Sequence, residues 1–328
     1  MSTLSTRNPT LADLASRMTP DGKVDPQIVE ILNETNEVLT EMTMVEANGT
    51  TEHKTTVRSG LPAGTWRKLN YGVPPEKSRS VQVKDAMGML ETYAQVDKTL
   101  ADINGNTAAF RLSEDQAFIE GMNQNMATTL FYGDSSTDPE KFMGLSPRYS
   151  DLGAQNGRNI VDGGGKGSDN TSVWLAVWGP NTVHGIYPKG SQGGLQNRDL
   201  GETTLIDDAG GLYQGYRTHY KWDLGLSLRD WRYVVRIANI DVSDLGGSTP
   251  ADILKLMVRA LHRIPNLRLG RPAFYMNRTI AEALDIESLN KTTLALKTQE
   301  LEGQFWETLR GVPIRTTDAL LNTEATVS

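Results

Sequence analysis

An α+β fold is predicted by three features of the sequence. Residues 50–100 place Thr-, Val-, Tyr- and Trp-rich stretches on both sides of a turn-prone centre, Asn70-Tyr71-Gly72-Val73-Pro74-Pro75, which is the pattern of a long β-hairpin. Residues 113–132 carry apolar side chains at the spacing of one long helix. After residue 170, strand-like runs rich in Trp, Val and Ile alternate with short amphipathic helical segments.

In chain order, residues 1–24 are polar, contain Pro9, Pro20 and Gly22, and read as a loose arm. Asp25 followed by Pro26 suits a helix start, and Ile28, Ile31, Leu32, Leu39 and Met42 recur at helical spacing over 26–42. Each limb of the hairpin then has about 22 residues, so an extended limb reaches about 70 Å before bends shorten it. A domain of this size cannot enclose that length. In the second limb, Val81, Val83, Met87, Met89 and Tyr93 predict the apolar face.

Ser113-Glu114-Asp115-Gln116 fits a capping box, in which the hydroxyl serves the N3 amide and the Gln side chain reaches back. Phe118, Met122, Met126 and Leu130 make a narrow stripe with polar flanks, so this helix should lie across a sheet with its back to solvent. Beyond the flexible loop Gly163–Ser168, Ser172–Trp178 reads as a buried strand and Tyr216–Leu228 as a hairpin. Trp231–Ile240 reads as a strand with Trp231, Tyr233, Val235 and Ile237 on one face. A helix with Thr249 as cap, Pro250 at N1 and Asp252 at N3 turns Ile253, Leu254, Met257, Leu261 and Ile264 inward until Pro265. Residues 272–277 form a short strand, Asn277 caps a helix over 278–284, and 311–315 is a last extended segment.

Composition excludes several kinds of chemistry. The chain has 328 residues, no cysteine and a net charge of −7. Disulfide scaffolds, Cys-ligated metals and thiol nucleophiles are ruled out together, and coating of nucleic acid by phosphate neutralisation is disfavoured. No apolar run approaches a membrane span, and the first residues lack the pattern of a secretory signal. No membrane partner is expected. His53, His184, His219 and His262 lack the spacing of a helical zinc site. The glycine loop has Gly167 where a phosphate cradle needs Ser or Thr, and Ser191 lacks the leading glycine of a nucleophile elbow. Asp207-Asp208 before Ala-Gly-Gly reads as a turn, not a carboxylate pair. Trp174, Trp178, Trp222 and Trp231 read as core, the alternative being a sugar-binding platform. No catalytic residue, cofactor site or metal site is predicted.

Charge is unevenly distributed. Residues 1–48 carry eight acidic and three basic side chains, net −5, while residues 54–84 carry seven basic and one acidic, net +6. The expectation is that Arg58, Arg67, Lys68, Lys77, Arg79 and Lys84 of one copy meet an acidic surface containing Glu34, Glu37 and Glu41 on another. Two unrelated solvated faces are the alternative.

The order of these elements resembles the major capsid proteins of tailed bacteriophages, in particular the coat proteins of short-tailed phages. Locally, Leu130-Phe131-Tyr132-Gly133-Asp134 through Phe142-Met143-Gly144-Leu145 is similar to the passage that leaves the spine helix of those proteins. Pro272–Thr279 resembles their strand, Met-Asn and short-helix element, and Leu309–Arg315 with Asp318 their near-terminal Gly-x-Pro strand. The resemblance implies an N-arm and N-terminal helix over 1–48 and an extended loop over 49–100. It further implies a peripheral domain over 101–245 with its spine helix at 113–132, an axial domain over 246–316 and a tail over 317–328. The β-rich block 150–245 precedes the helix at 249–264, whereas in the common arrangement it largely follows, so the connectivity is reordered or the block is inserted. The implied function is structural: an icosahedral head of pentamers and hexamers enclosing packaged double-stranded DNA, without sequence-specific binding. Assembly would take place in the host cytoplasm, with portal, scaffolding and cement proteins as partners. An encapsulin-like compartment shell and a β-rich carbohydrate-active enzyme are the alternatives.

Overall fold

The computed structural model describes residues 34, 36–103, 107–207, 209–247, 251–290, 296–301 and 304–328. The predicted arm and most of the helix over 26–42 lie outside these residues; its end is the short helix α1 (Val38–Glu41), followed by β1 (Met44–Glu46). The long hairpin is present as β2 (Glu52–Gly60) and β3 (Arg79–Asp97), antiparallel from Glu52↔Ala86 to Gly60↔Arg79. Helix α2 (Lys98–Asp102) leads to α3 (Thr107–Tyr132), and a single turn α4 (Leu145–Arg148) precedes β4 (Ile160–Asp162) and β5 (Asn170–Trp178). Then come β6 (Val183–Tyr187), β7 (Leu195–Ile206), β8 (Leu212–Leu228) and β9 (Val234–Asp241). Helix α5 (Ile253–Arg263), β10 (Arg271–Met276), α6 (Arg278–Asn290), β11 (Leu296–Leu301), β12 (Gln304–Leu309) and β13 (Val312–Thr316) complete the order.

One hydrogen-bonded path links the strands as β11-β12-β13-β10-β5-β6-β8-β3-β2, with β9 on β5, β4 on β9, β7 on β8 and β1 on β6. Its two halves meet at the single parallel pair Trp178↔Val183. In the first half, alternation along β5 and β9 sends Val173, Leu175, Val177, Val235 and Ile237 to the face covered by α5 and α6. Trp174, Trp178, Val234 and Ala238 go to the opposite core, where the end of α3 packs. All nine residues of β5 are buried, as its run of apolar residues predicts for a strand covered on both faces.

In the second half, α3 crosses β3 and β8 through Met122, with Ala94, Tyr220, Leu90, Phe118 and Trp222 around it. The predicted stripe is the buried stripe. Its start differs: α3 begins at Thr107, and the Ser113 hydroxyl donates back to the Phe110 carbonyl at 2.8 Å in place of capping. The helix-to-Gly-Leu passage has a steric basis. The Gly144 amide donates to Gly133 O at 2.7 Å, and a Cβ on either glycine would fall within 3 Å of backbone oxygens in the last turn of α3.

Four further expectations are corrected. On β3 the face turned to the body is Gly88, Leu90, Ala94 and Val96, whereas Met89 and Tyr93 are exposed; a one-residue shift in parity exchanges the faces. The segment 216–228 is a single strand whose hairpin partner is the polar β7, closed by the turn at Asp207. Trp231 belongs to a 3-10 turn and packs on the core opposite to Tyr233, Val235 and Ile237. Asp252 is the N-cap of α5, accepting from the Lys255 amide at 2.9 Å, while Thr249 and Pro250 lie outside the described residues. Asn277 does cap α6, accepting from Ile280 N at 2.9 Å. Arg310 and Gly311, both at positive φ, form the two-residue turn between Leu309 and Val312.

A buried ion pair joins the last residues to the core. Arg236 on β9 donates to Glu324 Oε2 and to Tyr149 O, each at 2.8 Å, and to Ser172 Oγ at 3.0 Å, with its guanidinium 5.2 Å from the centre of the Trp174 ring. Tyr132 and Ser172 donate to the same carboxylate. Nearby, Asn239 binds both the amide and the carbonyl of Val327. Replacing Arg236 by Met should therefore cost about 3–5 kcal/mol by stranding the Glu324 charge, read as a shift of the denaturant midpoint. On α3, Met122→Asp should cost several kcal/mol by placing a charge against the sheet, while Ser113→Ala should stay within about 0.5 kcal/mol, because no cap is lost. Comparable losses from both would contradict this placement of the helix.

Candidate inter-subunit surface

Among the described residues, the hairpin end is the part least used by the fold. Every residue from Leu61 to Ser80 is exposed, including Leu61 at 78%, Trp66 at 99% and Leu69 at 84%. These are large apolar side chains left uncovered among the described residues. Arg67, Lys68 and Lys77 stand among them, with Arg58 and Arg79 at the neck and Lys84 further down β3, all exposed. Glu76 is exposed as well, its carboxylate accepting from the Gly64 amide at 3.1 Å across the tip. The tip thus combines apolar and cationic side chains. Between its neck and the segment after β8 lies a groove of about 860 Å³, lined by Val57, Val81, Val83, Leu228, Trp231 and Arg58.

The acidic side of the expected pairing is placed differently. Glu41 Oε1 accepts from Arg315 Nε at 2.6 Å, and Glu37 lies 3.2 Å from the same nitrogen. Tyr275 donates to Glu41 Oε2 at 2.7 Å and accepts from Trp178 Nε1 at 2.8 Å. Burial raises the Glu37 pKa, opposed by Arg315 and reinforced by Glu41. Burial likewise pushes the Tyr275 hydroxyl well above the usual range, helped by the Glu41 charge. Glu37 and Glu41 are therefore occupied within the chain, and only Glu34 of the three remains apart from Arg315, its amide donating to Glu120 at 2.9 Å. The arrangement locks α1 onto β10 and β13. Acidic count alone could not reveal it, because Arg315 lies 274 residues from Glu41.

Among the described residues no three His, Asp or Glu side chains converge as metal ligands. Trp174 and Trp178 are fully buried and Trp222 and Trp231 pack against the core, so the four do not form an exposed platform. Asp207 holds its turn by accepting from the amides of Ala209 and Gly211.

A family profile described as "Major capsid protein GP7" matches residues 19–328. The chain belongs to the GP7 family of major capsid proteins. No curated protein matches it. A chain in the near-atomic-resolution structure of bacteriophage Epsilon15 is 38% identical, with a TM-score of 0.76 over all of this chain and 99% of that one. The capsid of bacteriophage JBD30 shares the fold at 8% identity, with a TM-score of 0.53 over 90% and 94% of the two chains. The encapsulin of the holo-SrpI complex from Synechococcus elongatus PCC 7942 is a more distant neighbour, at 12% identity and a TM-score of 0.43 over 70% and 95%. This capsid protein has the tailed-phage capsid fold, and its role is structural: it self-associates as the shell subunit of a virion.

Proposed function

We propose that each copy lays its hairpin tip on a neighbouring copy, and that many copies close in this way into an icosahedral head of pentamers and hexamers around double-stranded DNA. The observation that carries this reading is the complete exposure of residues 61–80 with Leu61, Trp66, Leu69, Tyr71 and Val73 among them. Burying a side chain of that size contributes roughly 1.5–3 kcal/mol, and among the described residues these stay exposed. In this assignment 1–48 is the N-arm with its helix, 49–100 the extended loop, and 101–245 the peripheral domain with α3 as spine helix. Residues 246–316 form the axial domain and 317–328 the tail. The first of the two body domains shares its sheet with the second through β5 and β10, so they act as one rigid unit from which the loop projects. Portal, scaffolding and cement proteins are the partners of such a shell, assembly takes place in the host cytoplasm, and the net charge of −7 suits a wall that encloses DNA without gripping its sequence.

Arg58, Arg67, Lys68, Lys77, Arg79 and Lys84 contribute to docking as a group that steers the loop toward acidic surface on the neighbour. Individually, exposed ion pairs are worth about 0–1 kcal/mol and are screened over about 8 Å at physiological salt, so the effect belongs to association rate.

Replacing Leu61–Ser78 by a short Gly-Ser turn should leave a folded, soluble chain that forms no closed shells, measured by thermal unfolding and electron microscopy. Cooperative unfolding of that variant would place the tip in the chain's own core. Reversing Arg67, Lys68 and Arg79 to Glu should slow assembly, with the largest effect at low salt, followed by light scattering. A wild-type rate independent of salt would remove the steering role.

A further inference from the structure

Where the projecting hairpin meets the body, polar side chains from four strands are gathered in one cluster. His53 on β2 is paired with Asp85 on β3, and His184 on β6 is paired with Ser227 on β8. The Asp85 carboxylate acts on both imidazoles, so His53, Asp85, Ser227 and His184 form one cluster in which the β2 and β6 rings meet directly. All four are buried, His184 and Ser227 completely, and the two imidazoles lie edge to face with centroids 6.0 Å apart. His53 Nε2, both ring nitrogens of His184, Asp85 Oδ2 and Ser227 Oγ make no well-formed hydrogen bond within the protein. Buried polar atoms are seldom left in this state, and five of them lie at the root of the element with the most exposed end.

Two guanidinium groups face the cluster, Arg148 and Arg229. Asp85 Oδ1 accepts from Arg148 Nη2 at 2.9 Å, and the same guanidinium also serves Met143 O and Leu226 O from α4. Arg229, just after β8, disfavours a proton on either imidazole, while Asp85 favours one. His53 Nδ1 accepts from the Asn48 amide at 3.2 Å, which places the ring proton on Nε2. A second proton would have to enter at Nδ1, against that N–H, and break the bond. Asn48 is also the residue that holds the outer edge of β2, its side chain pairing with both the amide and the carbonyl of Lys54.

We propose that this cluster is a proton-operated latch: with both imidazoles neutral, the edge-to-face contact of His53 and His184 holds the hairpin root to the body, and their protonation frees the hairpin to swing. The consequence for shells rests on the hairpin being the inter-subunit contact; the latch itself belongs to the single chain. Burial, Arg229 and His53 together push the His184 pKa down to about 4, and burial with Arg229 lowers that of His53. A histidine held below its solution value of 6.5 binds its proton only after the surrounding structure opens. Its stabilising contribution is complete above pH 6.5 and is lost as the pH falls toward 4.

The test is hydrogen exchange by mass spectrometry on the full chain, as free subunit and as shell, at pH 7 and pH 5 with intrinsic rates corrected. Opening at residues 52–60 and 79–88 should increase on the order of tenfold at pH 5, while β5, β9 and β10 keep their protection. The double variant His53→Gln, His184→Gln should lose this response. Exchange at the imidazole C2 position of the wild-type protein gives the titration of each ring directly, and decides the matter even if the variant does not fold. Titration of both rings at or above 6.5, a hairpin root whose protection is the same at both pH values, or an unchanged response in the double variant would overturn the latch. Shells that stay closed while the root opens would leave the latch standing and overturn the hairpin as the contact that closes them.

Discussion

The ion pair of Arg236 with Glu324 is the constraint around which the body is organised. Its guanidinium lies on the same face of β9 as Val234 and Ala238, in the core that also receives Trp174, Tyr149 and Phe131. A charge there is tolerable only because each donor has an acceptor: Glu324, the Ser172 hydroxyl and the Tyr149 carbonyl. Every one of those acceptors comes from a different segment. One residue therefore holds β9, β5, the turn after α4 and the residues after β13 in a single arrangement, and Tyr132 adds the end of α3 to it. Burial and the Glu324 charge both raise the Tyr132 pKa, so its hydroxyl keeps the proton that it donates.

The rest follows outward from that point. The end of α3 is fixed, so its stripe must lie along β3 and β8, and the hairpin emerges from β3 in a determined direction. A second ionic knot, Arg315 with Glu37 and Glu41, ties α1 to the opposite end of the sheet. Both knots face inward. Buried pairs thus help define the rigid body, while the cations of the hairpin end are exposed.

Local patterns in the sequence were legible where one interaction of short range decides the outcome. Asn277 as a cap, the inward residues of α5, the stripe Met122-Met126-Leu130 and the buried run of β5 all follow from spacing within a few residues. Features that depend on register or on distant partners were not. On β3 both faces carry apolar residues, so Val81, Val83, Met89 and Tyr93 looked like the packed side until pairing with β8 chose Leu90, Ala94 and Val96. The strand β7 is polar along most of its length and carries no strand pattern of its own. Ser113 looked like a cap because the six helical residues before it have no strong stripe. Of the candidate contact residues, the basic ones lie on the exposed hairpin as their density suggested, while Glu37 and Glu41 are taken by an arginine that sequence distance concealed.

A ladder anchored at one end is also a lever. Beyond Asp85 the paired strands continue for six residues to Arg79, roughly 20 Å, so tilting the root by about 5° carries the end of the ladder sideways by nearly 2 Å and the tip by more. Such a tilt leaves every contact around Arg236 untouched. A joint of this kind lets the hairpin end change its position while the body stays constant.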